Sequence, residues 1–206
     1  MTAYSTIADS DIDPESPITT TLMNRLRDNP LAIAEGDATA PALTGMGSTL
    51  LASGTVSSAA SLDIVMTTYT DYPNKVLILD SFLPAIDTAT MRCHVSTDGG
   101  SSFDTGASDY RDQTGLLSHI ELAPVGVGTT AGESGVGAMI TMFNTVRATH
   151  QGAFFVQSTY NTGVATIEIL TKATHRATAQ DTDAFQVICG SGNIASGNWA
   201  LYGYRA

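Results

Sequence analysis

Val76-Leu77-Ile78-Leu79, followed further on by Thr90-Met91-Arg92-Cys93-His94-Val95, carries the reading of the fold. In the second segment Met91, Cys93 and Val95 share one side while Arg92 and His94 share the other, the period-two pattern of a strand with one buried face. The first segment has no polar residue to alternate with. It reads as a central strand covered on both faces. Working outward, short runs of the same kind are expected near residues 51–56, 61–67, 75–82, 89–96, 107–112, 117–122, 138–143, 153–159, 163–171, 184–189 and 198–204. Turn residues separate them, and no helical pattern intervenes. In the run 163–171 the alternation is less simple, but Ile167 and Ile169 pair on one side. Many short strands without helices between them predict a mainly β chain, a jelly-roll-like antiparallel β-sandwich over residues 46–206. A long loop is expected over Gly126–Gly137, and no internal repeat is present.

Residues 1–45 are of different character and read as an N-terminal arm. Asp9, Asp11, Asp13 and Glu15 form an acidic lead-in. Ser16-Pro17 reads as a helix cap followed by proline at the first helical position. Ile18, Leu22 and Leu26 then fall four apart on one face, with Met23 beside them. Asn29-Pro30 is expected to end the helix, giving about 17–29, because the residue before proline avoids the helical region. A helix of about three turns is not stable alone, so the stripe Ile18, Leu22, Met23 and Leu26 is the candidate docking surface for a partner. Residues 37–50, with Pro41 and several Gly and Thr, read as a linker.

Composition narrows the function classes. The 206 residues hold nine Lys and Arg against twenty Asp and Glu, a net charge of -11. Nucleic-acid phosphate grips are built from basic side chains, so no nucleic-acid partner is expected, nor an anionic membrane surface. Charged residues are only 14% of the chain, and the polar surface comes instead from 29 Thr and 18 Ser. That balance fits an extracellular or virion β-protein better than a helical cytosolic enzyme. No apolar run is long enough for a membrane span, and Met1–Ser5 has neither a basic nor an apolar segment, so a signal peptide is not expected. Cys93 and Cys189 are too few for a structural zinc site; small buried hydrophobes are expected, with a disulfide as the other reading.

Ser96-Thr97-Asp98-Gly99-Gly100-Ser101-Ser102-Phe103 matches the Asp-box pattern, Ser-x-Asp-x-Gly-x-Ser-aromatic. Its physical content is a structural hairpin. Asp98 bonds amides across the turn, Gly99 and Gly100 supply positive φ, and Phe103 anchors the return. Asp9-Ser10-Asp11-Ile12-Asp13 opens like an EF-hand loop, but Pro14 stands where glycine is needed and Thr20 where glutamate is needed. No metal site is expected. His94, His119, His150 and His175 show no metal-ligand spacing. Gly132-Glu133-Ser134-Gly135-Val136 misses the nucleophile elbow at its last position, and Gly190-Ser191-Gly192 has too little chain after it for a dinucleotide fold. Nothing positive points to catalysis or to a cofactor. Tyr69, Tyr110 and Tyr160 are candidates for stacking on a glycan, although tyrosines at strand ends serve equally as packing residues, and Trp199 reads as core.

The segment Asp11–Gly36 resembles the N-terminal docking segment of small virion proteins of tailed bacteriophages and gene transfer agents. The strands from Tyr72-Pro-Asn-Lys-Val-Leu-Ile-Leu79 through Met91–Phe103 to Trp199-Ala-Leu-Tyr-Gly203 are similar to the sandwich heads of phage fibre, spike and capsid-decoration proteins. The resemblance implies a virion-surface component without catalysis and a homo-oligomer, with a trimer favoured. Its partners would be phage capsid or tail proteins. The chain lacks a shaft, collagen-like repeat or coiled coil, so a compact cap, spike or cement protein fits better than an extended fibre. An adhesin that binds host surface polysaccharide is the alternative expectation, and a depolymerase-like enzyme the third.

Overall fold

The computed structural model describes residues 3–8, 19–35, 48–129, 133–163 and 166–204. The chain divides into two compact units, residues 1–46 and 47–206.

In the first unit one helix, α1, spans Thr20–Glu35. Ser16, Pro17 and Ile18 of the expected cap and stripe lie outside the described residues. The cap is Thr19: its Oγ1 accepts the Leu22 N–H at 3.1 Å, and its carbonyl takes the first helical bond, from Met23. The helix does not stop at Asn29. It runs through Pro30 to Glu35, although proline removes one bond of the ladder. Asn29 is buried, and its side chain exchanges two hydrogen bonds with the Ser5 backbone, at 3.0 and 2.8 Å. That clamp holds the helix at the residue where proline alone would end it.

The second unit is a β-sandwich of two antiparallel sheets. Its strands are β1 (Thr49–Ala59), β2 (Ser61–Val65), β3 (Asn74–Pro84), β4 (Ala89–Ser96), β5 (Tyr110–Asp112) and β6 (Gly115–Leu117). They continue as β7 (Ile120–Val127), β8 (Val136–Phe143), β9 (Ala153–Gly163), β10 (Thr166–Arg176), β11 (Ala184–Cys189) and β12 (Ile194–Tyr204). The larger sheet has the order β1-β12-β3-β8-β9-β10-β5-β6, the smaller β2-β11-β4-β7. Most expected strands appear, several longer at their ends. The run expected at 117–122 is two strands, β6 and β7, and the one expected from 107 begins only at Tyr110. The glycine-rich stretch Gly126–Gly137 is shorter as a loop than expected, because β7 continues to Val127 and β8 starts at Val136.

The core lies between the sheets. Leu77, Leu79 and Phe82 of β3, Ile140 and Met142 of β8, and Phe154 and Val156 of β9 face Met91, Cys93 and Val95 of β4, Ile120 and Leu122 of β7, and Phe185 and Val187 of β11. The alternation of β4 is therefore realised: its odd residues are core. Cys93 and Cys189 are both buried and free, so no disulfide links them. Burial pushes the Cys93 thiol far up and that of Cys189 to about 11, which leaves both unreactive. Where β12 passes β3, a Cβ on Gly197 would come within 2.5 Å of the Phe82 ring. Glycine there lets the two strands close over that ring.

Candidate interaction face

The two outer faces of the sandwich differ in chemistry. On the smaller sheet the outward residues are Asp63 of β2, Gln186 of β11, Arg92 and His94 of β4 and Glu121 of β7. They form a polar row, of which Asp63, Gln186 and His94 are joined by hydrogen bonds. Gln186 Nε2 donates to Asp63 at 2.9 Å, and the other amide atom of Gln186 lies 3.3 Å from His94 Nδ1. His119 stands edge-on to His94 with ring centres 6.5 Å apart. Burial lowers the pKa of both imidazoles. For His94 the Gln186 bond opposes the shift and Arg92 adds to it; for His119 Arg92 is the next cause.

The outward face of the larger sheet is apolar and nearly uncharged. The registers β12↔β3, β3↔β8, β8↔β9 and β9↔β10 align Ala200, Ile78, Met139, Gln157 and Thr171 across five strands. The next row reads Tyr202, Val76, Thr141, Phe155 and Ala173. Phe143 and Tyr204 lie at one end of this plane, and Ile167 and Ile169 at the other, 68% and 74% exposed. On β10 the alternation is inverted: the isoleucines point out, while Glu168 and Leu170 between and beside them are half-buried. Ile78, in the middle of the apolar run of β3, is 40% exposed. Of the strand read from Val76–Leu79 as covered on both faces, Leu77 and Leu79 lie in the core; on the other face Val76 is already buried at 8% exposure and Ile78 is open in the single chain.

A groove of about 720 Å³ opens at the β9–β10 corner of this face, lined by Phe143, Phe155, Thr171, His175, Gln113 and Asp112 among others. Beneath it Lys172 bridges the two sheets, with its ammonium 2.7 Å from both Asp112 and Glu121. Burial works against the charged Lys172, but these two carboxylates outweigh it and its pKa is raised; Lys172 and then Thr114 hold the Asp112 carboxyl far below the usual range. This ion pair closes the open edge between the sheets and is structural in geometry.

The residues singled out from sequence fall as follows. Asp98 is the hub of its turn: one oxygen accepts the Ser102 N–H at 2.9 Å and the Ser96 hydroxyl at 2.6 Å, the other the Ser102 hydroxyl at 2.6 Å. Gly99 and Gly100 have φ of 70° and 89°, the left-handed region where glycine carries no Cβ penalty. Phe103 lies half-buried against Gly100. The turn is not a hairpin between paired strands, however. After one ladder bond, Asp104 N–H to the Val95 carbonyl, the chain crosses to β5 in the other sheet.

Two of the three glycan candidates are core. Tyr110 is fully buried; its Oη accepts the Val95 N–H at 2.8 Å and donates to the Asp104 carbonyl at 3.1 Å. Tyr160 is 3% exposed, and Tyr69 is half-buried against the core with its hydroxyl on the Leu51 carbonyl. Tyr110 and Tyr160 offer no free ring face, because at their positions in β5 and β9 the side chain points inward; Tyr69 lies in the connection between β2 and β3. In the docking stripe Leu22 is buried, whereas Met23 and Leu26 are about half exposed, joined by Leu31. Sequence reasoning missed Ile78, Met139, Phe143 and Phe155; the only signal was the four-residue apolar run of β3 and the paired isoleucines of β10.

Among the described residues no group of three or more His, Cys, Asp or Glu is arranged to hold a metal ion, and no helix is long and apolar enough to cross a membrane. Compared with protein-family models, curated proteins and solved structures, the chain matches none.

Proposed function

We propose that this protein is a non-catalytic structural component of a bacteriophage virion surface, a capsid decoration or cement protein or head spike, working as a homo-oligomer. The observation that carries the reading is the open apolar face of the eight-stranded sheet, beside a smaller sheet whose outer face is polar. A water-soluble chain rarely leaves such a plane uncovered; assembly covers it. The capped helix α1, with Met23 and Leu26 exposed, supplies an attachment element of the kind the docking-segment resemblance implies. Neither feature calls for chemistry.

The jelly-roll part of the reading is supported by strand order. Counting β2 to β7 as first to sixth, the β8-β9-β10 meander as seventh and β11 as eighth, the smaller sheet runs first-eighth-third-sixth. The larger sheet then runs second-seventh-fourth-fifth, with β1 and β12 added at its edge. That is the order of two interlocked Greek keys.

The test is attachment. A variant starting near residue 47, which keeps the second unit, is mixed with particles lacking the protein, beside the full chain. It is expected to stay folded and fail to bind. Full occupancy by the truncated protein overturns the attachment role of the arm.

The groove at the β9–β10 corner favours the adhesin as second reading, since Phe143 and Phe155 sit beside Gln113 and His175, an aromatic platform with polar neighbours that suits a sugar ring. Glycan-array binding that is lost in Phe143→Ala supports it; no binding by the intact oligomer removes it.

A further inference from the structure

We propose that the outer face of the eight-stranded sheet is where copies of this chain meet one another. This deepens the virion reading above by naming the partner of its main face, and it rests on that reading only for its biological setting.

Three observations select another copy as the occupant. The first is extent. Five strands about 4.8 Å apart, over eight residue steps of about 3.4 Å along β9, make a plane of roughly 650 Å² before side-chain relief is counted. That is the scale of the about 800 Å² per partner of a standard stable interface. The second is charge. The chain as a whole carries -11, so identical molecules repel each other over most of their surface. Along this plane Asp80 of β3 stands at one end of the sheet and Arg111 of β5 near the diagonally opposite corner, opposite in sign, with Ile78, Met139, Gln157, Thr171 and Ile169 between them. It is the region where two equally acidic molecules can approach without like charges meeting. A foreign partner would be chosen by complementary charge, and the centre of this face offers none. The third is the strand β3 itself. Its apolar residues alternate toward both sides, Leu77 and Leu79 into the core and Val76 and Ile78 outward, and of the outward pair Val76 is already buried while Ile78 is left 40% exposed, on a strand whose pattern is that of one covered twice. The core covers one side and a second copy covers the other.

The experiment measures mass in solution for the full chain at micromolar concentration. Wild type is expected to be oligomeric. Ile169→Asp and Met139→Asp place a charge in the plane at exposed positions and are expected to give a folded monomer that still unfolds cooperatively, its melting temperature lowered only by the loss of the subunit contact. Val65→Asp, a comparable change on the outer face of the smaller sheet, should leave the oligomer intact. A monomeric wild type overturns the proposal, and so does an oligomer that survives both face substitutions. If those variants misfold, Gln157→Cys in the centre of the plane decides: oxidation should join copies through a disulfide, and failure to crosslink in the oligomer overturns the face assignment. An oligomer that depends on this face but leaves particles unoccupied sinks the virion reading and supports the contact.

Discussion

Asp98 receives Ser102 twice, the backbone N–H on one carboxylate oxygen at 2.9 Å and the hydroxyl on the other at 2.6 Å. With the Ser96 hydroxyl added, these bonds hold the Asp98 carboxyl down at about 2, the Ser102 and Ser96 hydroxyls being the largest causes. Because the folded pKa lies below the unfolded one, the carboxylate stabilises the fold above about pH 4 and that contribution fades as pH falls toward 2. Asp98→Ala is expected to lower the melting temperature at pH 7 and to lose the difference from wild type near pH 2. Melting curves at both pH values check it, and an unchanged melting temperature at pH 7 would refute the role of the turn.

Tyr110 ties two segments together through one buried oxygen. Tyr110→Phe keeps the ring but leaves the buried Val95 N–H without its acceptor, and an unsatisfied buried donor costs about 1–3 kcal/mol. The expected outcome is an unfolding free energy lowered by that amount, read from urea denaturation, with oligomer mass unchanged.

Lys75 is buried with its ammonium on two neutral oxygens, the Tyr72 carbonyl and Thr145 Oγ1, each at 2.7 Å. Burial lowers its pKa to about 8 from 10.5. Between those values the unfolded chain binds the proton that the folded chain has released, so this residue makes stability rise with pH over that window. The buried thiols and Tyr110 act oppositely at high pH, so the measurement is the difference between wild type and Lys75→Met. Urea midpoints at pH 7 and pH 10 should show wild type gaining on the variant; a constant difference refutes the assignment.

His94 and His119 face one another with Arg92 alongside, and both are held below the ordinary value of 6.5, burial being the first cause. The folded state favours the neutral rings, so stability is lost as pH falls below about 6.5. Glu121, near His119, opposes the effect there, and Lys172 adds to it. His94→Gln should flatten the loss of melting temperature between pH 7 and pH 5, read by calorimetry. A slope equal to that of wild type would exclude His94 as its source.

Local chemistry made much of the sandwich legible. Met91, Cys93 and Val95 had to share a face, and Asp98 between Ser96 and Ser102 had to close a turn. The helix end was misread because Pro30 is a local signal, whereas the Asn29–Ser5 clamp joins residues 24 apart in sequence. Tyr110 and Tyr160 were misread for a related reason. Which side of a strand faces the core depends on where the other sheet lies, and a tyrosine at a strand position fits either side.

By itself the sequence determined the mainly β class, the strands and their turns, and the acidic balance that disfavours phosphate partners, since all of these follow from side-chain type and period along the chain. Only the tertiary structure decided which apolar residues are core and which are surface. Ile167 and Ile169 on β10 look like core by hydrophobicity, yet the packing of two sheets can bury only one face of each. The outward isoleucines share one face with Ile78 and Met139, whose row runs on through Gln157 to Thr171 of the same strand β10, and they form a continuous plane because strands distant in sequence lie about 4.8 Å apart in the sheet.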